Sequence, residues 1–168
     1  MEDLNNTINY YINQLEQYTF DELCTKPSPA SWSLGQMYLH LIADTNFYIE
    51  EIKICITNND NQFKEAAPAA KAMFLNNSLP DEDVIGDPSN AAIPQPGSKD
   101  DLTNGFISLK DELNKLSAAI SCTTYKGKTK HPGLNYFNAE EWLQFAYMHF
   151  RHHLRQKKRI DAFLTSVK

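Results

Sequence analysis

Cysteine is scarce in this chain: Cys24, Cys55 and Cys122 are odd in number, far apart and include no C-x-x-C pair. That argues against a disulfide framework or a zinc knuckle and predicts buried thiols in a reducing compartment. No apolar run approaches the roughly 18 residues that a bilayer-spanning helix needs. The opening MEDLNNTINYY is acidic and helix-patterned, unlike the basic-then-apolar start of a signal peptide, so a cytoplasmic location is expected. Positive charge is short as well. The net charge of −5 argues against nucleic acid as the main partner. The one basic cluster, Arg155-Gln-Lys-Lys-Arg159, is expected to face water and to complement the dipole of a last helix. With only six glycines and a 42% apolar share, the 168 residues suit neither a fibrous nor a disordered class and can bury one substantial core.

Several catalytic signatures are missing. There is no H-E-x-x-H, so the zincin arrangement is out, and no E-x-x-H, which speaks against a di-iron carboxylate bundle. A G-x-S-x-G elbow, a Walker A loop and a G-x-G-x-x-G turn are equally absent.

What the chain does carry is helical periodicity. Leu4, Ile8, Tyr11, Leu15 and Tyr18 recur at 4-3-4-3 spacing and predict a first helix over residues 3 to about 19. After a proline-containing connector, Ser33 and Gln36 match the S-x-x-Q box that starts a helix, here running from about 34 to 57. A short helical piece is expected within Gln62 to Leu75. The stretch 76–98, with prolines 80, 88, 94 and 96, reads as a lid-like flap or a flexible loop. Leu102, Phe106, Leu109, Leu113, Leu116 and Ile120 mark a third helix over about 100–121, with Ser98 and Asp101 at its start. Residues 123–137 read as a loop with exposed aromatics and no strand. Asn138-Ala-Glu-Glu141 then opens a last helix over about 139–165. The predicted fold is all-α, a single up-down four-helix bundle with a long crossover between its second and third helices.

The last helix is the informative one. Trp142, Ala146, His149, His153, Gln156, Ile160, Phe163 and Val167 share one stripe, so two histidines and a glutamine stand in an apolar seam. A buried polar ring without a partner costs on the order of 1–3 kcal/mol, so each must bind something. Histidines at i and i+4 suit two ligands of one metal ion, and they equally suit a core pair bonded across a bundle. His152 lies on the flank of the pair. His131, before Pro132, reads as a turn residue. His40 belongs to a second, narrower face of its helix with Gln36, Ala43, Phe47 and Ile54, and periodicity does not aim it at the other histidines.

Trp32-Ser-Leu-Gly-Gln-Met-Tyr-Leu-His40-Leu resembles the W-S-x-x-Q-x-x-x-H-L opening of the second helix in the DinB/YfiT-like family of four-helix metalloproteins. His149-Phe-Arg-His-His153-Leu-Arg-Gln156 resembles the H-x-x-x-H-x-x-Q segment of that family's last helix, and His131-Pro-Gly-Leu followed by Trp142 looks like a bacterial branch of it. The resemblance implies a single divalent metal, zinc or nickel, held by His40, His149 and His153, with a coordination position left open as in catalytic zinc sites. It implies an enzyme acting on a small molecule, either a hydrolase using a metal-activated water or an S-transferase using a low-molecular-weight thiol. Homodimers are common in such relatives, and one is expected here. Neither a membrane nor nucleic acid is an expected partner. Asp44, one turn after His40, is the nearest carboxylate for a general base, although helical salt-bridging is the simpler role for it. Trp32, Gln36, Tyr136, His152 and Gln156 are the expected pocket and supporting residues. The competing reading is a non-enzymatic helical module of binding or stress response, in which the metal is structural or absent.

Overall fold

Side-chain caps decide where the helices begin. The computed structural model describes residues 1–80 and 92–167. Its elements are α1 (Glu2–Leu15), α2 (Phe20–Cys24), α3 (Leu34–Cys55), α4 (Pro68–Asn76), α5 (Lys99–Cys122), β1 (Thr129–His131), β2 (Asn135–Phe137) and α6 (Ala139–Ser166). At the start of α3, Ser33 Oγ accepts from Gln36 N–H while Gln36 Oε1 accepts from Ser33 N–H, at 3.1 and 3.0 Å. Asn138 and Glu141 form the same reciprocal box at α6, both bonds 2.8 Å, and Ser98 Oγ caps α5 through Asp101 N–H. These three starts fall where the sequence places them.

A third capping box changes the first helix. Thr19 and Glu22 cap each other at the head of α2, so the helix expected to reach residue 19 stops at Leu15 and a new one starts at Phe20. Tyr18 nevertheless keeps its place on the packed face, its hydroxyl donating to Asp161 Oδ1 at 2.6 Å.

The molecule is predominantly helical. Helix α3 packs against α5 and α6, and α1 packs against the same two. The periodic residues of α1 and α5 are buried: Leu4, Ile8, Tyr11 and Leu15 from one, Leu102, Phe106, Leu109, Leu113 and Leu116 from the other. Tyr11 ties α1 to α3, α5 and α6. Its ring lies 5.5 Å from Tyr38, 5.6 Å from Phe106 and 5.8 Å from Phe150, and its hydroxyl donates to Phe150 O at 2.9 Å. Tyr38 in turn donates to Tyr11 O at 2.9 Å, so both buried phenols are satisfied.

Residues 123–137 are not all loop. β1 and β2 form an antiparallel hairpin that pairs Thr129 with Phe137, Lys130 with Tyr136 and His131 with Asn135. Strands of three residues are too short to show a period, which is why no strand was expected. Asn135 takes φ 66°, the left-handed conformation that asparagine tolerates better than most residues. Phe137 is fully buried 4.9 Å from the Trp142 ring, and Trp142 Nε1 donates to Thr129 Oγ1 at 2.7 Å.

His131 is therefore more than a turn residue. Its ring stacks on Trp142 at 5.5 Å and 26°, and burial pulls its pKa down to about 4 from the model-peptide value near 6.5. Between these two values the unfolded chain binds the extra proton, so the contribution to stability is whole above pH 6.5 and is lost as pH falls towards 4. In metal-free protein, the melting-temperature advantage of His131→Phe over wild type should widen steadily across that window. A difference that stays flat from pH 7.5 to 4 would show that the ring is not held neutral.

The buried face of α6 is also broader than one stripe. Lys157 is 1% exposed, while Arg155, Lys158 and Arg159 are exposed as expected of the basic cluster. A 4-3 series drifts about 20° per heptad on a straight helix, so by the end of α6 the packed positions have moved from 156 and 163 towards 157 and 164. The Lys157 ammonium donates to Gln14 Oε1, Tyr18 Oη and Asp161 Oδ2, at 2.9, 2.7 and 2.8 Å. The three cysteines are free, as expected, but only Cys55 is buried and Cys122 is exposed.

The short helix expected within Gln62 to Leu75 is α4, started by Pro68 and ended by Asn77 in the left-handed conformation. Of the expected flap 76–98, residues 81–91 lie outside the described residues. Beyond them the chain is clamped onto the head of α3. Gln36 Nε2 donates to Ile93 O at 2.5 Å and Ser33 Oγ to Gln95 Oε1 at 2.8 Å. Gly35 permits this approach, because a Cβ there would lie 2.6 Å from Pro96 Cγ and 2.9 Å from Leu23 O. Gly35→Ala should therefore destabilise by about 1–3 kcal/mol through overpacking. Urea unfolding checks it, and a midpoint unchanged or raised would mean the 93–97 segment yields freely.

Candidate metal centre

Two helices bring the histidines together. His40 lies two turns into α3, whose start is set by the Ser33–Gln36 box, and His149 and His153 stand one turn apart in the middle of α6. All three side chains are buried, at 5–7% exposure. His149 Nε2 lies 3.2 Å from His40 Nε2 and 3.0 Å from His153 Nε2, and one ligand atom from each residue falls within 4.8 Å of the others. The uncertainty over the direction of His40 is thereby removed by packing: the contact between α3 and α6 turns its ring into the seam.

The second nitrogens of the rings bear on what the cluster can hold. Gln156 Oε1 lies 2.8 Å from His153 Nδ1 and can only accept, which places the proton on Nδ1 and leaves the Nε2 lone pair facing inward. Asp44 Oδ1 faces His40 Nδ1 at 3.4 Å, longer than a tight hydrogen bond but with the same polarity, and so favours the same tautomer. Two inward lone pairs then meet the Nε2 of His149. If that nitrogen carries a proton it can donate to only one of them, and His149 Nδ1 finds no hydrogen-bond partner among the described residues. Three converging nitrogens with too few protons between them are a poor structural network and a good ligand set. Tetrahedral coordination at about 2.05 Å would set ligand nitrogens about 3.3 Å apart, close to the two observed separations. The residues present fit one metal ion.

Protonation is suppressed for the same reason. Burial first, and then the neighbouring imidazoles of His153 and His40, hold His149 well below the ordinary imidazole range. Burial, followed by His40, pulls His153 down to about 3 against the opposing bond from Gln156. Neutral rings at neutral pH are the form that binds a metal.

Around the three rings, Trp32 lies 4.9 Å from His40 and Tyr48 5.8 Å from His149. Asp44 Oδ2 is 3.8 Å from His149 Nε2 and accepts a long, 3.4 Å hydrogen bond from Tyr48 Oη. The His152 ring stands perpendicular to His153 at 5.4 Å. Gln36 is engaged in the cap of α3 and with Ile93, and Tyr136 is placed in β2 opposite Lys130. Beside His40 and Asp44 opens a cleft of about 410 Å3 lined by Leu39, Ile42, Ala43, Ile93 and Pro94. Ile93 and Pro94 belong to the stretch expected as a lid-like flap or flexible loop, but nothing in the sequence ties them to His40, because a chain segment 53 residues beyond it reaches the site only through the clamp on Gln36. A second cleft of about 360 Å3, between the start of α1, the end of α5 and the start of α6, touches none of the three histidines.

A search among curated proteins found no match. Residues 4–156 match the DinB superfamily, and with the three-histidine group in place the chain belongs to that family.

Proposed function

We propose that this chain is a metal-dependent enzyme acting on a small molecule, built as a DinB/YfiT-like up-down four-helix bundle of α1, α3, α5 and α6 with the crossover between α3 and α5. His40, His149 and His153 are its ligands, and three imidazoles suit a borderline divalent ion such as zinc or nickel. The supporting observation is the convergence of the three Nε2 atoms with Gln156 fixing the tautomer of His153.

When bound, such an ion acts as a Lewis acid and lowers the pKa of a water or thiol held beside it. The chain's own residues do the rest. Gln156 and Asp44 hold two rings in the ligating tautomer. In this reading Asp44, whose Oδ2 lies 3.8 Å from His149 Nε2 and accepts from Tyr48 Oη, takes a proton from the nucleophile. Burial of His149 and His153 keeps protons from competing for their nitrogens. The cleft at Leu39 and Ile93 admits the substrate.

The test is protein purified without a metal-affinity tag, assayed for ester hydrolysis and for conjugation of a thiol to an electrophile, each with and without chelator. Chelator-sensitive hydrolysis without thiol assigns a hydrolase, and chelator-sensitive conjugation assigns an S-transferase. A bound ion whose removal lowers only the melting temperature, with neither reaction, would overturn the enzymatic reading and leave a structural centre.

A further inference from the structure

The cleft beside His40 has one fixed wall and one that is lightly held. Leu39, Ile42 and Ala43 belong to α3, and Ile42 is seated on Gly105 of α5, its Cδ1 2.7 Å from the point where a Cβ there would stand. The other wall is Ile93 and Pro94, from a segment outside any helix or strand. Among the described residues, 93–96 makes no backbone-to-backbone hydrogen bond. Pro96 is buried against Gly35, and two side-chain bonds from the start of α3 hold what precedes it. Gln36 Nε2 donates to Ile93 O at 2.5 Å, and Ser33 Oγ donates to Gln95 Oε1 at 2.8 Å.

Gln36 therefore has two tasks. Its Oε1 closes the capping box of α3, for which a glutamate oxygen would serve as well, whereas only the amide nitrogen of glutamine can donate to Ile93 O. Gln36, His40 and Asp44 follow one another at i, i+4 and i+8, so the donor that holds Ile93 stands one turn from the histidine that shares the cleft with it. We propose that 93–96 is a detachable strap anchored at Pro96, that Gln36 is its latch, and that breaking the bond to Ile93 uncovers His40 and Asp44 without disturbing the bundle. A hydrogen bond of this kind shifts an equilibrium by about twofold to tenfold, so the closed form is favoured without being fixed. That the opening serves substrate entry rests on the metal-centre reading above; the opening itself does not.

Diethyl pyrocarbonate, which acylates accessible imidazoles, reads the strap in metal-free protein. Reaction is held below one modification per molecule, and mass spectrometry with fragmentation locates it. Gln36→Glu keeps the capping oxygen and loses the donor to Ile93, so His40 should react about threefold to tenfold faster than in wild type. Gln95→Ala removes the second bond, leaves the α3 cap intact and adds no charge, and His40 should there react about twofold faster. His149 and His153 do not line this cleft and should keep their wild-type rates in both variants, which separates an opened strap from a loosened bundle. A His40 rate unchanged in Gln36→Glu, or in Gln95→Ala should the first variant not fold, would overturn the proposal. So would His149 and His153 accelerating in step with His40. A chain that takes up no metal yet opens at His40 in these variants would lose the enzymatic reading and keep the strap.

Discussion

His149→Ala should abolish specific metal binding, lowering affinity for zinc or nickel by more than about 100-fold, beyond the 10- to 100-fold typical of losing a supporting residue. His149 is the ligand whose Nε2 approaches both others, at 3.2 and 3.0 Å, so its loss separates His40 from His153 as well as removing a donor. The expected readout is twofold. Calorimetry on the wild type should give one equivalent, and the variant should give none at the same concentrations. Saturating metal at about 100 times Kd should raise wild-type stability by about 2.7 kcal/mol, and the variant should melt at one temperature with or without metal. Gln156→Leu makes the graded control. It leaves all three donors but frees the Nδ1 that orients His153, so its affinity should fall by about 10- to 100-fold with stoichiometry intact. If His149→Ala still bound one equivalent with the wild-type stabilisation, the three nitrogens would not be a shared site.

The second large effect lies away from the metal, at the junction of α1 and α6. Asp161→Ala should destabilise by about 3 kcal/mol, because it strands the Lys157 ammonium with only the neutral Gln14 and Tyr18 oxygens. Breaking a buried pair from one side costs about 3–5 kcal/mol. The lower end applies here, since the Asp161 side chain is 32% exposed and water screens the pair. For a chain of this size that corresponds to a fall in melting temperature of roughly 6–12 °C. Lys157→Met, which removes the charge and keeps the bulk, should be much milder, and the double variant Lys157→Met/Asp161→Ala should recover most of the loss. A single variant Asp161→Ala within a degree or two of wild type would show that the ammonium escapes to solvent.

The helical scaffold was legible where local chemistry is strong. The caps at Ser33, Ser98 and Asn138 and the series from Leu102 to Leu116 are events within one or two turns, and the structure places them where the sequence does. The Thr19–Glu22 box is equally local, but it follows directly on the run that ends at Tyr18, and the period masks it. The burial of Lys157 is hidden for a different reason. In a basic cluster the sequence shows charge, whereas burial of that one ammonium depends on Gln14 and Tyr18, about 140 residues earlier. The hairpin of β1 and β2 has strands of three residues and draws its stability from Phe137 and Trp142 packing together, a contact no short window displays.

The sequence by itself determined the helix starts, the i,i+4 placement of His149 and His153 on one face, and the pairing of Gln156 with the second of them, because all of these follow from a rise and a rotation per residue. Tertiary structure alone decided that His40 turns towards them, that Asp44 sits beside His149, and that Ile93 and Pro94 wall the cleft. Those relations cross between α3, α6 and a segment clamped onto Gln36, and distances between elements are set by how side chains interlock, which no periodicity along one helix encodes.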